Sequence, residues 1–137
     1  MVRDRTHFLL VGDEGDIAMI HTILRRLPVD AYGQVYIEVD GAKPLPSLAM
    51  PEGMVLTWLR RDSRVRRGGS AHDHGALAAG VIDVWLQEWM PDADAAEEPY
   101  VIWIGCTASG RVDLLYRDLR ARLPMLHVHH PHYDSPR

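Results

Sequence analysis

The chain has 137 residues, a length typical of one domain with its own hydrophobic core. Its hydrophobic content of 47% and charged content of 25% are ordinary for a globular protein, and its net charge of −4 argues against a general nucleic-acid binder. The sequence contains no run of about 18 apolar residues, so no membrane span is predicted. Residues 1–10 lack the long apolar region of a secretory signal. The single cysteine, Cys106, excludes an internal disulfide, so we expect a cytoplasmic protein.

The first predicted elements are a strand and a helix joined by an acidic turn. Residues 7–13 (HFLLVGD) form a nearly continuous apolar run, which is typical of a strand covered on both faces. Asp13 or Asp16 can cap the helix that follows, and Pro28 ends it. The apolar stripe of this helix has spacings of three, four and three residues, at Ile17, Ile20, Leu24 and Leu27.

The next two strands are predicted at 34–40 (QVYIEVD) and 54–60 (MVLTWLR). Between them, residues 41–53 contain three prolines and two glycines and predict an irregular loop with no helix longer than one turn. Arginines cluster from the end of the third strand, and they are either a solvated basic loop or a site for phosphate or carboxylate. Five of them lie within eight positions: Arg60, Arg61, Arg64, Arg66 and Arg67.

Two more helices and two more strands are predicted in the second half. A helix covers roughly residues 73–90, and residues 100–106 (YVIWIGC) form the most hydrophobic strand. Thr107 or Ser109 begins the last helix, and a final strand is predicted at 125–130 (MLHVHH). The stripe of the 73–90 helix is predicted at Leu77, at Val81, at either Val84 or Trp85, and at either Glu88 or Trp89. The stripe of the last helix is predicted at Val112, Leu115, Leu119 and Leu123.

The alternation of strands and helices predicts an α/β fold. We expect residues 1–137 to form a single three-layer, Rossmann-like domain around a five-stranded parallel sheet. Right-handed crossovers and a switch point beside the first strand predict the order 3-2-1-4-5. Because the loop at 41–53 replaces one crossover helix, the helices should cover the sheet unevenly.

Ligands of such sheets bind beyond the carboxyl ends of the strands, where the strand order reverses. The crevice is therefore predicted between residues 12–15 and 105–109. The first turn lacks G-x-G-x-x-G, and its carboxylates at Asp13 and Glu14 would repel a pyrophosphate, which favours a helix-capping role. The fourth turn suits a phosphate better, because Gly105 permits close approach and Thr107 and Ser109 supply hydroxyls.

Three other chemistries have partial support. A phosphoryl-accepting receiver domain would use Asp13 and Glu14 for magnesium, Asp62 as acceptor and Thr107 as switch residue. It also needs a lysine after the last strand, where the chain has histidines. His127 and His129 share a strand face, but no second ligand cluster has zinc spacing, so no metal site is expected. The Cys106 thiol, near the predicted crevice, is either reactive or a small buried apolar group.

The order of the motifs resembles that of a known family. "LLVGDE" is followed by a helix ending in "LP", then by "VYIEVD", a "PLP" loop, "LTWLRR", "VIWIG", "TAS", "LRARLP" and "VHV". Over residues 7–130 this order is similar to the C-terminal half of siderophore-interacting proteins, which belong to the ferredoxin-reductase superfamily and reduce ferric siderophores.

The resemblance implies that this half binds NADPH or NADH, whereas a separate N-terminal barrel binds flavin. We expect no such barrel in this chain, so FAD would not be bound by it. The family's basic residue for the adenosine 2′-phosphate corresponds to Arg60 or Arg61. The cofactor-binding residues predicted in this way and from the strand ends are Asp13, Glu14, Arg60, Arg61, Gly105, Cys106, Thr107 and Ser109.

The chain departs from the family pattern on the cofactor side. The family's Ala-Gly-Glu is Ile104-Gly105-Cys106 here, so a thiol replaces the acid. Its Thr-Ala-Leu-Pro is replaced by residues 15–18 (GDIA), and its closing Gly-Tyr-Trp-Arg by residues 129–133 (HHPHY). These changes put the activity in question more than the fold.

Two hypotheses about function follow. In the first, the chain is the NAD(P)H-binding module of a ferric-siderophore reductase system and needs a separate flavin-bearing partner. In the second, it is a degenerate, non-catalytic domain of the same family that binds a protein partner or itself as a homo-oligomer. Exposed tryptophans at Trp85 and Trp89 would favour the second.

Overall fold

The computed structural model describes residues 6–40, 45–61, 75–89, 100–106 and 109–122, together with the backbone of residues 127–129. Its elements follow one another as predicted, with small shifts of their ends. In chain order they are β1 (His7–Asp13), a 3-10 turn (Glu14–Asp16), α1 (Ile17–Arg26), β2 (Tyr32–Asp40), β3 (Gly53–Arg61), α2 (Ala76–Trp89), β4 (Tyr100–Ile104), α3 (Gly110–Arg122) and β5 (His127–His129).

All strand pairs are parallel. β1 lies between β2 and β4, β3 lies on the outer side of β2, and the three-residue β5 pairs with β4. The predicted parallel α/β sheet is confirmed, with its four longer strands in the order β3-β2-β1-β4. The strand order reverses between β1 and β4, so a crevice can open at the carboxyl ends of these two strands.

Helices lie on both faces of the sheet because successive strand residues point to opposite sides. Leu9 and Val11 of β1 pack with α2 and α3 on one face. Leu10 packs with Ile20 and Leu24 of α1 on the other face. The near-continuous apolar run in β1 is explained by this double coverage.

Coverage of the two faces is uneven, as expected. Residues 45–50 form no helix, and Leu45, Leu48 and Met50 pack beside α1 against the sheet. On the α2 face, the outer part of β3 is left open, and Val55 is 60% exposed. No helix in the described parts of the chain is long and apolar enough to cross a membrane.

The predicted stripe of α2 was wrong at Leu77, and of its alternatives Val84 and Trp85 the second is the buried one. Leu77 and Val84 are 39% and 62% exposed, whereas Ala78, Ile82 and Trp85 are buried. Alanine on the buried side lets the helix approach the sheet closely, and apolar residues all around α2 make its periodicity ambiguous. Trp85, whose exposure would have favoured the protein-binding hypothesis, is buried, while Trp89 is 38% exposed.

Trp85 belongs to an aromatic cluster at the amino end of the sheet. The indole Nε1 of Trp85 donates a hydrogen bond of 2.7 Å to Oε1 of Gln34, which lies 2.9 Å from Nε2 of the buried His7. The His7 ring is 4.5 Å from the Trp89 ring and 5.2 Å from the Tyr100 ring, measured between centroids. This cluster fixes α2 over β1, β2 and β4.

Candidate functional site

The candidate site lies where β1 and β4 end side by side. The amide of Gly105 donates to the carbonyl of Val11 at 2.7 Å, so the two strands stay together up to the turns that follow them. Asp13 ends β1 and caps the 3-10 turn, since its Oδ1 accepts from the amide of Gly15 at 3.0 Å. The acidic first turn is thus held by its own side chains.

Asp16 connects the two turns. Its Oδ2 accepts from the amide of Asp13 at 2.9 Å and from the amide of Cys106 at 2.7 Å. A Cβ at Gly105 would lie 2.3 Å from this oxygen, and a Cβ at Gly12 would lie 2.7 Å from the Cβ of Asp16. Both glycines therefore make room for the Asp16 side chain. At the Cys106 amide, a carboxylate of the chain takes the position that a ligand anion would need.

Asp16 was not among the predicted cofactor-binding residues. Its contact with Cys106 joins positions 90 residues apart in the chain, which no local pattern shows. The signal in the sequence was the pair Gly12 and Gly105, each at the end of a strand. Burial is the main cause that raises the pKa of Asp16, and the neighbouring Asp13 also raises it, against the opposing effect of the two amide donors.

Cys106 is fully buried and has a φ of 55°, in the left-handed region that costs a non-glycine residue about 1 kcal/mol. Burial raises the pKa of its thiol, and the charges of Asp13 and Asp16 raise it further. A thiol that stays protonated is a poor nucleophile. Of the two readings of Cys106, the structure favours the small buried apolar group.

Asp13, Asp16 and Cys106 are the described side chains closest to a metal-ligand set, with ligand atoms within 4.8 Å of one another. Both carboxylates already accept hydrogen bonds from backbone amides. The protonated thiol would have to lose its proton to bind an ion. The hydrogen bonds of this cluster explain its geometry without a metal.

Arg61 joins the first turn to the rest of the sheet. Its Nη1 donates to Oε2 of Glu38 at 2.7 Å, and its Nη2 donates to Oε2 of Glu14 at 2.6 Å. Burial acts to raise the pKa of Glu14, but the hydrogen bonds from Arg61 and from backbone amides outweigh it and lower the pKa below 4.5. The same two ion pairs raise the pKa of Arg61 against the effect of its burial.

Glu38 is completely buried and anchors the start of α2. Its two oxygens accept from the amides of Gly75 and Ala78, each at 2.9 Å, in addition to the bond from Arg61. A carboxylate at a helix amino terminus is stabilised by the unpaired amides there. Glu38 was not predicted as part of the site, because nothing in the strand sequence VYIEVD shows that Arg61 and the start of α2 would lie against it.

The structure brings some of the predicted residues together and places others elsewhere. Asp13, Glu14, Gly105 and Cys106 lie together at the switch point, and Arg61 reaches this group through Glu14. Arg60 is exposed and points to the opposite face of β3 from Arg61. The buried Ser109 caps α3, because its Oγ accepts from the amide of Val112 at 3.2 Å. The following lie outside the described residues: Thr107, Asp62, Lys43, and the side chains of His127 and His129.

The described part of the site is strongly acidic. The carboxylates of this site outnumber the guanidinium of Arg61 that pairs with them. The resulting negative charge opposes binding of a pyrophosphate at the first turn. The described amides of the fourth turn are also engaged, since Gly105 donates to Val11, Cys106 to Asp16, and Ser109 to the carbonyl of Cys106 at 2.9 Å. The carboxylates gathered here are Asp13, Glu14, Asp16 and Glu38.

Known proteins resemble this chain. It matches the family of siderophore-interacting proteins over residues 5–124. It is 37% identical over 54 residues to the ferric vibriobactin reductase of Vibrio cholerae, a match that covers 39% of this chain and 20% of that protein. It is 34% identical over 85 residues to an uncharacterized protein of Mycobacterium tuberculosis, covering 61% of this chain and 29% of that protein.

A solved structure shares the fold. The siderophore utilization protein from T. fusca superposes with a TM-score of 0.64 and 22% identity, over 95% of this chain and 46% of that one. At this level of identity the likeness shows the fold alone. The matched residues span less than half of each of these three proteins.

Proposed function

Because the chain belongs to the siderophore-interacting protein family, we propose that it is the NAD(P)H-binding module of a ferric-siderophore reductase system. The match over residues 5–124 carries this proposal. The named reductase among the relatives supports a role in the use of siderophore iron. The proposal includes a separate flavin-bearing protein, and the matched residues span less than half of each of these relatives.

The Rossmann-like arrangement supports a nucleotide site near the start of α3. This helix begins beside the switch point, and the positive end of its dipole favours an anion. A Cβ at Gly110 would meet no heavy atom within 4 Å, so a phosphate group has room to approach there. The first turn does not fit a pyrophosphate, because Asp16 already binds the Cys106 amide.

Arg60 is the better candidate for a 2′-phosphate. Arg61 is held by Glu14 and Glu38, whereas Arg60 is exposed at the carboxyl end of β3. A guanidinium can bind a phosphate through two parallel hydrogen bonds. Bound nicotinamide would supply a hydride, and the residues of this chain would contribute binding and orientation.

A specific observation supports a second candidate, a family member that binds another protein instead of a nucleotide. The Asp16 carboxylate accepts the hydrogen bond of the Cys106 amide at the switch point, where a ligand anion would otherwise bind. The Asp13 carboxylate lies beside it. A chain that had lost its nucleotide would no longer need that amide. The family departure at residues 104–106, where a thiol replaces an acid, lies at the same place.

Calorimetric titration with NADPH and NADH separates the two candidates. If Arg60 binds the 2′-phosphate, NADPH should bind at least about tenfold more tightly than NADH, because a hydrogen bond to a charged group contributes about 1.5–3 kcal/mol. Arg60→Ala should remove this preference. Arg26→Ala should keep it, because Arg26 is also an exposed arginine but lies at the end of α1.

Equal affinity for the two nucleotides would contradict the role of Arg60. Absence of binding at millimolar concentration would contradict the nucleotide-binding module as a whole and favour the protein-binding candidate. A preference that Arg26→Ala also removes would point to a general electrostatic effect.

A further inference from the structure

Within the described residues, the edge of the sheet at β3 lacks the usual protection against pairing. β3 has nine residues, and in the described part of the chain its outer side pairs with no strand. Residues 53–59 (GMVLTWL) contain no charge and no proline. Natural sheets normally protect an edge with charged residues, proline, a bulge or a short strand, because an open edge pairs with other chains.

The apolar surface continues from β3 onto α2. A groove of about 650 Å³ lies between them, and it is lined from the sheet by Tyr36 and Val55 and from the helix by Leu77, Val81 and Val84. Val55 is 60% exposed and Val84 is 62% exposed. This groove adjoins the open edge, so one partner could cover both.

We infer that a second copy of this chain covers both, through antiparallel pairing of the two β3 strands about a two-fold axis at Leu56. In this register Glu52 lies opposite Arg60 of the other copy, and the symmetry repeats the pair. Both residues are exposed and have opposite charge. Val55 lies opposite Thr57, so the two exposed positions on the groove face cover each other.

The spacing of the elements agrees with this pairing. Strands in a sheet are about 4.8 Å apart, so the two β2 strands would lie about 14 Å apart across the paired β3 strands. Helices pack at about 8–10 Å, so the two α2 helices, each close to its own β2, would leave only a narrow gap. Leu77 and Val84 of both copies project into this gap.

The pairing is closed, because each copy uses its one β3 edge. Association should therefore stop at two copies and produce a continuous sheet. Of the residues of the proposed nucleotide site, Arg60 alone takes part in this pairing, and the Val55→Lys variant used below leaves Arg60 unchanged. Measurement of the oligomeric state therefore tests this inference separately from the proposed function.

Light scattering coupled to size exclusion, over a range of protein concentrations, provides the test. We expect a species of twice the chain mass of 15.5 kDa. Val55→Lys should give the monomer, because it places two charges in the apolar seam. Val29→Lys should remain dimeric, because Val29 is 93% exposed but lies between α1 and β2.

Charge exchange tests the register. Glu52→Arg and Arg60→Glu should each weaken the dimer about tenfold, since each creates two like-charge pairs, and the double variant should restore it. Circular dichroism shows whether each variant is folded. A wild-type monomer at all concentrations, or larger open assemblies, would overturn the inference. So would a dimer that neither Val55→Lys nor the charge exchange affects.

Discussion

At the scale of single residues, the chain uses its own charged groups to connect the turns at the switch point. Asp16 joins the first and fourth turns, and Arg61 joins the first turn to β2 and α2 through Glu14 and Glu38. An ion pair of this kind stabilises the fold only while both partners are charged. The stability of the protein should therefore depend on pH through these carboxylates.

The first prediction concerns Glu14. Its folded-state pKa is lowered, so its contribution to stability is present above the unfolded value of 4.5 and is lost as the pH falls through the folded value. At neutral pH, Glu14→Gln should lower the free energy of unfolding by about 1 kcal/mol, because Glu14 is partly exposed. Urea unfolding at several pH values should show the two proteins converging in acid.

Glu88→Gln provides the control, because Glu88 is an exposed carboxylate of α2 away from the first turn. At neutral pH its difference from wild type should be small. A Glu14→Gln difference that grows as the pH falls below 4.5 would contradict the sign derived from the lowered pKa.

At the scale of elements, the glycines differ in what surrounds them. Gly105 ends the β4 segment against the Asp16 carboxylate, whereas Gly80 lies on the exposed side of α2 with no atom within 4 Å of a Cβ position. The same substitution should therefore have opposite effects at the two positions. At Gly105 the added methyl group would collide with the Asp16 side chain. At Gly80 it would only reduce the conformational freedom of the unfolded chain.

Gly80→Ala should raise the free energy of unfolding by about 0.5–1 kcal/mol, since glycine is unfavourable inside a helix. Gly105→Ala should lower it by about 1–3 kcal/mol, because its Cβ would displace Asp16 from the Cys106 amide. Thermal or urea unfolding of both variants measures the two changes. If Gly105→Ala were neutral, the Asp16 carboxylate would not be held as the structure describes.

The elements also show where sequence patterns suffice. The apolar run of β1 and the stripes of α1 and α3 predicted the correct buried sides. In these two helices the large apolar residues recur every three or four positions, so the pattern identifies one buried side. Buried positions such as Ile20, Leu24, Val112 and Leu119 were all identified. The α2 stripe was wrong at Leu77 and left Val84 or Trp85 open, because apolar residues lie on several sides of that helix and only contact with the sheet decides which side is buried.

At the scale of the whole molecule, the parallel sheet was predictable, but the bonds at its carboxyl edge were not. Asp16 and Cys106 are 90 positions apart, and Arg61 is 23 positions from Glu38 and 47 from Glu14. The sequence showed acidic residues and arginines at strand ends, from which a phosphate site was inferred. Whether an arginine binds a ligand or a carboxylate of the same chain depends on the packed structure.

A further prediction concerns the division of chemistry between proteins. Under the proposed function, the chain with NADPH alone should not reduce a ferric siderophore, because a hydride carries two electrons and ferric iron accepts one. The single buried Cys106 cannot cycle as a dithiol. Anaerobic mixtures containing an Fe(II) chelator measure the reaction, first without and then with a flavin-bearing reductase. Reduction in the first mixture would contradict the need for a partner.

The aromatic cluster at His7 gives the protein a useful optical property. The four tryptophans divide between the two faces of the sheet: Trp85 and Trp89 lie with α2, whereas Trp58 and Trp103 pack in the core beneath α1. Because the emission of all four tryptophans overlaps, replacing one pair with phenylalanine isolates the fluorescence signal of the other layer. Coincident emission changes from the two pairs during denaturation would identify a cooperative two-state transition, and separate midpoints would show that one layer loosens before the other.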